Sequence, residues 1–165
     1  MNRLQSIFVI MLLVTALGSC SEKAKRAKVY HNEIFIKTSV VIDSVIDYSD
    51  AVHSGSRQVG LAVSTNYLNL IAKTTESVIA KGDFDADSTL KVAAVNLLHF
   101  YGQYVSATFV PYFQSFENDS LNEFQLAVAD SLLRKMMDEE VPHWSNFNNE
   151  GKKFSDRYDI SSVKE

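Results

Sequence analysis

The chain has 165 residues with 16 basic and 20 acidic side chains, and this net charge of −4 argues against a nucleic-acid partner, because phosphate binding needs a concentrated basic face. Only two prolines and six glycines interrupt it, so one domain with one core is expected. A single cysteine excludes an intramolecular disulfide.

The N-terminus has the pattern of a secretory signal. Arg3 stands in a short charged start, residues 7–17 are an apolar run, and the small residues Gly18 and Ser19 follow. The run has about 11 residues, whereas a helix needs roughly 20 to span a bilayer. Residues 1–19 are therefore predicted to be a signal peptide that is cleaved away.

The sequence LGSC, which ends at Cys20, resembles the lipobox of bacterial lipoproteins. The resemblance covers residues 1–20 and implies cleavage before Cys20, diacylation of its sulfur and acylation of the new terminus. Such a protein is held by two or more acyl chains, and each buried methylene contributes about 0.8 kcal/mol. We therefore expect a domain anchored by lipid to a membrane of the bacterial cell envelope, outside the cytoplasm. Ser21 replaces the aspartate that favours the inner membrane in enterobacterial lipoproteins, so the outer membrane is preferred.

The first predicted helix of the domain lies between Glu22 and His53. Its apolar side chains recur mostly at intervals of three and four residues, which is typical of one helix face. They are Tyr30, Ile34, Val41, Val45, Tyr48 and Val52. Asp43, Asp47 and Asp50 fall on the opposite side and are predicted to form a solvated stripe. A turn is predicted at residues 54–56, where glycine lies between two serines.

Two further helices are predicted before the next marked turn. The second extends to about Lys81 and is followed by Gly82, a residue that often ends helices. The third extends from Thr89 to about Phe116. Pro111 lies inside it and removes a backbone hydrogen bond, so this helix is predicted to bend or to end near Val110.

The fourth predicted helix begins at Ser120, which with Glu123 fits a capping box. Its apolar pattern continues beyond Pro142, so the helix is expected to be long and kinked or split near that proline. The chain is expected to fray from about Asp159. Because short connections favour antiparallel neighbours, residues 20–165 are predicted to form an all-α, up-down-up-down four-helix bundle.

Aromatic residues of the third and fourth helices are the candidate ligand or partner surface. They are Phe100, Tyr104, Phe109, Tyr112, Phe113, Phe116, Trp144 and Phe147. Aromatic side chains at helical spacing usually pack in the core, but those beyond one face can line an apolar pocket or cover a partner. The sequence alone does not decide whether these residues form the core, a pocket or an interface.

No motif indicates catalysis or a cofactor. Glu140 and His143 have the spacing used in dinuclear metal bundles, but such sites need a second pair, which the sequence lacks. There is no Gly-x-Ser-x-Gly elbow and no phosphate-binding glycine loop, and the only cysteine is the predicted lipidation site. We therefore predict no catalytic residues, no metal and no cofactor.

These patterns favour a noncatalytic envelope lipoprotein whose bundle binds another protein or the cell surface. The predicted mature domain is similar in general character to small helical lipoproteins. The alternative is a carrier that encloses a hydrophobic small molecule in a pocket lined by the aromatic residues. A cavity of roughly 300 Å³ or more among these aromatic side chains would favour the carrier.

Overall fold

The computed structural model describes the backbone of residues 3–162 and the side chains of residues 22–161. The side chains of the predicted signal peptide and of Cys20 lie outside this part of the chain. The helices are α1 (Arg3–Val52), α2 (Arg57–Ile79), α3 (Thr89–Tyr104), a π-helix (Val105–Phe109), α4 (Val110–Gln114), α5 (Glu123–Arg157) and a 3₁₀-helix (Ile160–Ser162). Within residues 3–162, β-pairing is confined to two isolated bridges. The predicted all-α four-helix bundle is confirmed, with α1, α2, α3 and α5 as its long helices.

The long helices form a ring in which α1 lies beside α2, α2 beside α3, α3 beside α5, and α5 beside α1. The core face of α1 follows the predicted intervals, since Ile34, Val41 and Val52 are fully buried. Asp43 and Asp50 are exposed, as predicted. Within the described residues, no helix has the length and apolar content needed to cross a membrane.

The turn between α1 and α2 is tied to the loop before α5. Gly55 has a positive φ of 75°, and the Ser56 side chain caps α2 by accepting from the Val59 N–H. The Leu121 N–H donates to the Gly55 carbonyl at 2.8 Å. The Asp119 side chain accepts hydrogen bonds from the Ser56 hydroxyl and from the Gln58 N–H in the first turn of α2. The predicted turn at residues 54–56 is confirmed.

The predicted capping box of α5 is wrong in its residues. The cap is Asn122, which accepts from the Gln125 N–H at 2.9 Å, while the Gln125 side chain accepts from the Asn122 N–H at 2.8 Å. Ser120 instead forms an antiparallel bridge with Ser56. Asparagine is as good a cap as serine, and the bridge holds Ser120 outside the helix.

The two prolines have different consequences. Before Pro111, α3 changes into the π-helix at Val105, so the hydrogen-bond pattern is altered where the bend or end was predicted. Pro142 lies inside α5, which continues through it to Arg157 and is therefore not split. Pro142 and Asp138 are both exposed, so water can reach the Asp138 carbonyl that the proline leaves without its helical donor.

The C-terminal end of α5 packs against the middle of α1. The Phe154 ring lies 5.6 Å from Tyr30, and Ile160 is buried, so packing continues past Asp159, where fraying was expected to begin. Asp87, in the loop between α2 and α3, binds Arg157 at the end of α5.

Candidate interaction surface

The eight candidate aromatic residues do not form one site. Phe109, Phe113 and Phe147 are buried, and Tyr104 nearly so. Phe109 packs edge-on against Tyr48 at 5.4 Å and lies 6.0 Å from Tyr104. These four rings fill the core.

Three of the remaining four rings are half-buried and rest on neighbouring side chains. Phe100 stacks on the His143 ring at 4.6 Å, and Tyr112 and Phe116 make an edge-to-face pair at 4.8 Å. The Tyr112 hydroxyl donates to the Gln125 carbonyl of α5. These contacts attach α3 and α4 to α5.

Trp144 is the candidate with substantial exposure, at 37%. The position of Gly151, seven residues further along α5, identifies the flank of the helix on which Trp144 lies. A Cβ atom at Gly151 would lie 2.4 Å from the Phe35 ring of α1, so this flank faces α1. Residues seven apart share a helix flank, so Trp144 and Met137 lie on that side too.

The register of α1 against α5 is fixed at two points. The Phe35 and Phe147 rings stack at 4.4 Å, and His53 lies 3.3 Å from the Asp130 carboxylate. The helices are antiparallel, so between these points Ile46 stands opposite Met137.

Apolar side chains follow both edges of this junction, which we call the α1–α5 seam. They are Phe35, Ile42 and Ile46 on α1 and Met137, Val141 and Trp144 on α5. Ile46 is 68% exposed, Val141 59% and Met137 54%. Isolated exposed apolar residues are ordinary, but a row along one junction indicates a contact surface.

Acidic groups border the seam. Asp43 and Asp50 lie one turn before and one turn after Ile46 on the exposed side of α1, and Asp138 lies one turn before Val141 on α5. Within the described part of the chain, none of these three carboxylates forms an ion pair. The nearby guanidinium of Arg134 is bound to Asp130. The border of the seam is therefore negative.

The sequence prediction included Trp144 but missed Ile46, Met137 and Val141. A signal was available, because Ile46 follows Val45 and lies outside the core pattern of α1. Met137, Val141 and Trp144 also recur at i, i+4 and i+7, on a helix face that is rotated away from the buried Met136.

A polar cluster lies inside the bundle. The Tyr67 hydroxyl donates to the Val41 carbonyl at 3.0 Å, and the Tyr48 and Ser64 hydroxyls are 3.1 Å apart. Tyr101 is fully buried, and no hydrogen-bond partner for its hydroxyl is found among the described residues. Burial, and after it the Glu140 carboxylate, raise the pKa of Tyr101 above its ordinary value.

Glu140 and His143 serve different neighbours. His143 stacks on Phe100, whereas the Glu140 carboxylate helps to raise the pKa of Tyr101 and of Tyr67. In the described part of the chain, no group of three or more His, Cys, Asp or Glu side chains gathers where it could hold a metal ion.

Two grooves open between neighbouring helices. One of about 560 Å³ lies between α2 and α3, with Ile71, Leu98 and Gly102 among its lining residues. A smaller one of about 230 Å³ lies between α1 and α2 beside Tyr48 and Tyr67. Both are open to solvent, and none of the eight candidate aromatic residues lines either groove. A further cavity of about 430 Å³ at the loop before α5 has a mainly polar lining, and Phe116 is the one candidate residue that lines it.

The surface, core and grooves are all built from this chain's own pattern of helices. No protein-family model matches the chain, and no curated protein or solved structure is significantly similar to it.

Proposed function

We propose that this chain is a noncatalytic lipoprotein of a bacterial cell envelope, whose helical bundle binds another protein through the α1–α5 seam. The observation that carries the proposal is the row of exposed apolar side chains on the α5 edge of the seam, which includes the only tryptophan of the chain and has the exposed Ile46 opposite it on α1. Aromatic and methionine side chains are enriched in protein interfaces.

The lipobox-like sequence supports the anchoring part of the proposal. The helix α1 includes position 20 and continues to Val52, so a lipid on Cys20 would hold one end of the bundle at the membrane. At about 1.5 Å per residue, Ile46 lies about 40 Å from residue 20 along the helix. The distal part of the seam would therefore stand clear of the lipid headgroups, where a partner protein can reach it.

The alternative function, a carrier of a hydrophobic small molecule, has less support. It places the ligand among the eight aromatic residues, yet four of them fill the core and three rest on neighbouring side chains. The groove between α2 and α3 has sufficient volume, but it is open and uses other residues. Small-molecule sites usually bury most of their ligand.

The anchor is tested by replacing Cys20 with alanine in the native host. We expect Cys20→Ala to abolish palmitate incorporation and to release the chain from the membrane fraction. Undiminished palmitate labelling of Cys20→Ala would contradict the proposal.

The interaction is tested by photo-crosslinking from single positions in living cells. A photoreactive amino acid at Val141 should give a discrete crosslinked product with another protein. The same amino acid at Ile36, which is 65% exposed on a different flank of α1, should not. The same products from both positions, or none from either, would contradict an interface at the seam.

A further inference from the structure

We infer that the α1–α5 seam receives a cationic amphipathic helix of a partner protein. This inference rests on the proposed function and adds the chemistry of the partner.

The shape of the seam suits a helix. Two antiparallel helices leave a shallow groove along their junction, and a third helix can lay its apolar face into it. Met137, Val141 and Trp144, at i, i+4 and i+7, form an apolar ridge that a partner with the same spacing can interlock with. From Phe35 to Ile46 the seam extends about 17 Å, or about three helical turns.

The charge of the seam selects the partner. Asp43, Asp50 and Asp138 border it without ion pairs in the described part of the chain, and the whole chain carries a net charge of −4. Lysine and arginine on the flanks of a docked helix would meet these carboxylates. A second copy of the chain would bring acids toward acids, and an anionic lipid surface would be repelled. A basic helix is therefore the occupant that the charges favour.

The only tryptophan reports directly on occupancy. The lipidated chain is placed in phosphatidylcholine nanodiscs and titrated with a synthetic leucine–lysine peptide of about 18 residues, long enough to form a helix, with leucines at i, i+3, i+4 and i+7. We expect saturable binding and a shift of Trp144 fluorescence to shorter wavelength as the peptide covers the indole. A peptide with glutamate in place of lysine should produce no shift.

The matched variants are Ile46→Gln and Ile36→Gln. Both positions are isoleucines on α1 with nearly equal exposure, 68% and 65%, but only Ile46 borders the seam. Loss of one buried apolar contact should weaken peptide binding about tenfold in Ile46→Gln, with no change in Ile36→Gln. Circular dichroism melting verifies that both variants fold.

Equal binding by the two variants, or equal binding of the glutamate peptide, would overturn the inference. So would a Trp144 shift that grows with chain concentration in the absence of peptide, because a second copy would then be the occupant. If the Val141 crosslinks form in cells while the peptide test fails, the partner chemistry is wrong and the proposed function stands. If both fail, both are wrong.

Discussion

The Tyr101 hydroxyl is the least satisfied polar group in the described core. Tyr48 and Tyr67 also bury their rings, but each hydroxyl has a partner, Ser64 for Tyr48 and the Val41 carbonyl for Tyr67. A buried hydroxyl that gains no hydrogen bond loses its hydration without compensation. The Glu140 carboxylate is near enough to raise the pKa of Tyr101, but no hydrogen bond of ordinary geometry joins it to the hydroxyl. Tyr101 therefore contributes to stability through its ring, and its oxygen opposes that contribution.

Removing this oxygen should not destabilise the protein. We expect Tyr101→Phe to leave the free energy of unfolding unchanged or raise it by up to about 1 kcal/mol. Tyr48→Phe, its matched control, breaks the hydrogen bond with Ser64 and should lower it by about 1 kcal/mol. Urea denaturation measures both. A loss of more than about 1 kcal/mol in Tyr101→Phe would mean that the hydroxyl has a partner after all.

At the scale of elements, the sequence predicted the helices better than their junctions. The buried face of α1 was readable because the interval of three and four residues comes directly from helix geometry. The cap at Asn122 was misplaced because Ser120 and Glu123 fit the same local pattern, and only the pairing of Ser120 with Ser56 across the fold decides between them. The residues around Ser120 do not indicate that long-range contact.

Only part of the candidate surface was predicted from the sequence, and the reason is similar. Periodicity identifies apolar side chains but does not say which of two neighbouring helices will cover them. Phe109 and Phe113 were covered by the bundle, whereas Ile46 and Val141 were left exposed where α1 and α5 meet. That outcome depends on how the helices are rotated against each other, which the sequence alone did not reveal.

Close approach of α2 to α4 depends on Gly60. A Cβ atom there would lie 2.5 Å from the ring of Phe113, which is fully buried and has little room to move. We expect Gly60→Ala to lower the free energy of unfolding by about 1–3 kcal/mol through overpacking.

Gly102→Ala provides the control for this prediction. A Cβ atom at Gly102 would make an ordinary contact at 3.6 Å with Ile71, so alanine should stabilise α3 by up to about 1 kcal/mol through helix propensity. Thermal or urea unfolding measures both variants. A Gly60→Ala protein as stable as Gly102→Ala would show that α2 and α4 do not approach this closely.

On the scale of the whole molecule, burial of tyrosines determines behaviour in alkali. Burial raises the pKa of Tyr48, Tyr67 and Tyr101 above the ordinary value, and burial with the nearby Asp83 and Asp87 raises the pKa of Tyr30 to about 12. The folded state thus favours the neutral phenols, whereas the unfolded chain ionises them near its ordinary pKa of 10.

The protein should therefore lose stability at alkaline pH. The contribution of these groups is fully present below about pH 10 and is lost as the pH rises toward the raised pKa values of the folded state. We expect these four tyrosines to ionise together with loss of helical circular dichroism, and the tyrosinate absorbance to lag behind that of free tyrosine. Ionisation of all tyrosines near pH 10 in a fully helical protein would contradict the buried positions.

The packing of Phe154 on Tyr30 also sets an order of assembly. The ring of helices closes only when the end of α5 packs against the middle of α1, and Tyr30 and Phe154 are far apart in the sequence. Synthesis produces the N-terminal residues first, so Tyr30 can pack against Phe84 early but lacks its second aromatic neighbour until Phe154 has been made. A chain truncated before Phe154 would leave the Tyr30 side of α1 without this contact. Quality-control proteases could recognise such a chain there as incomplete.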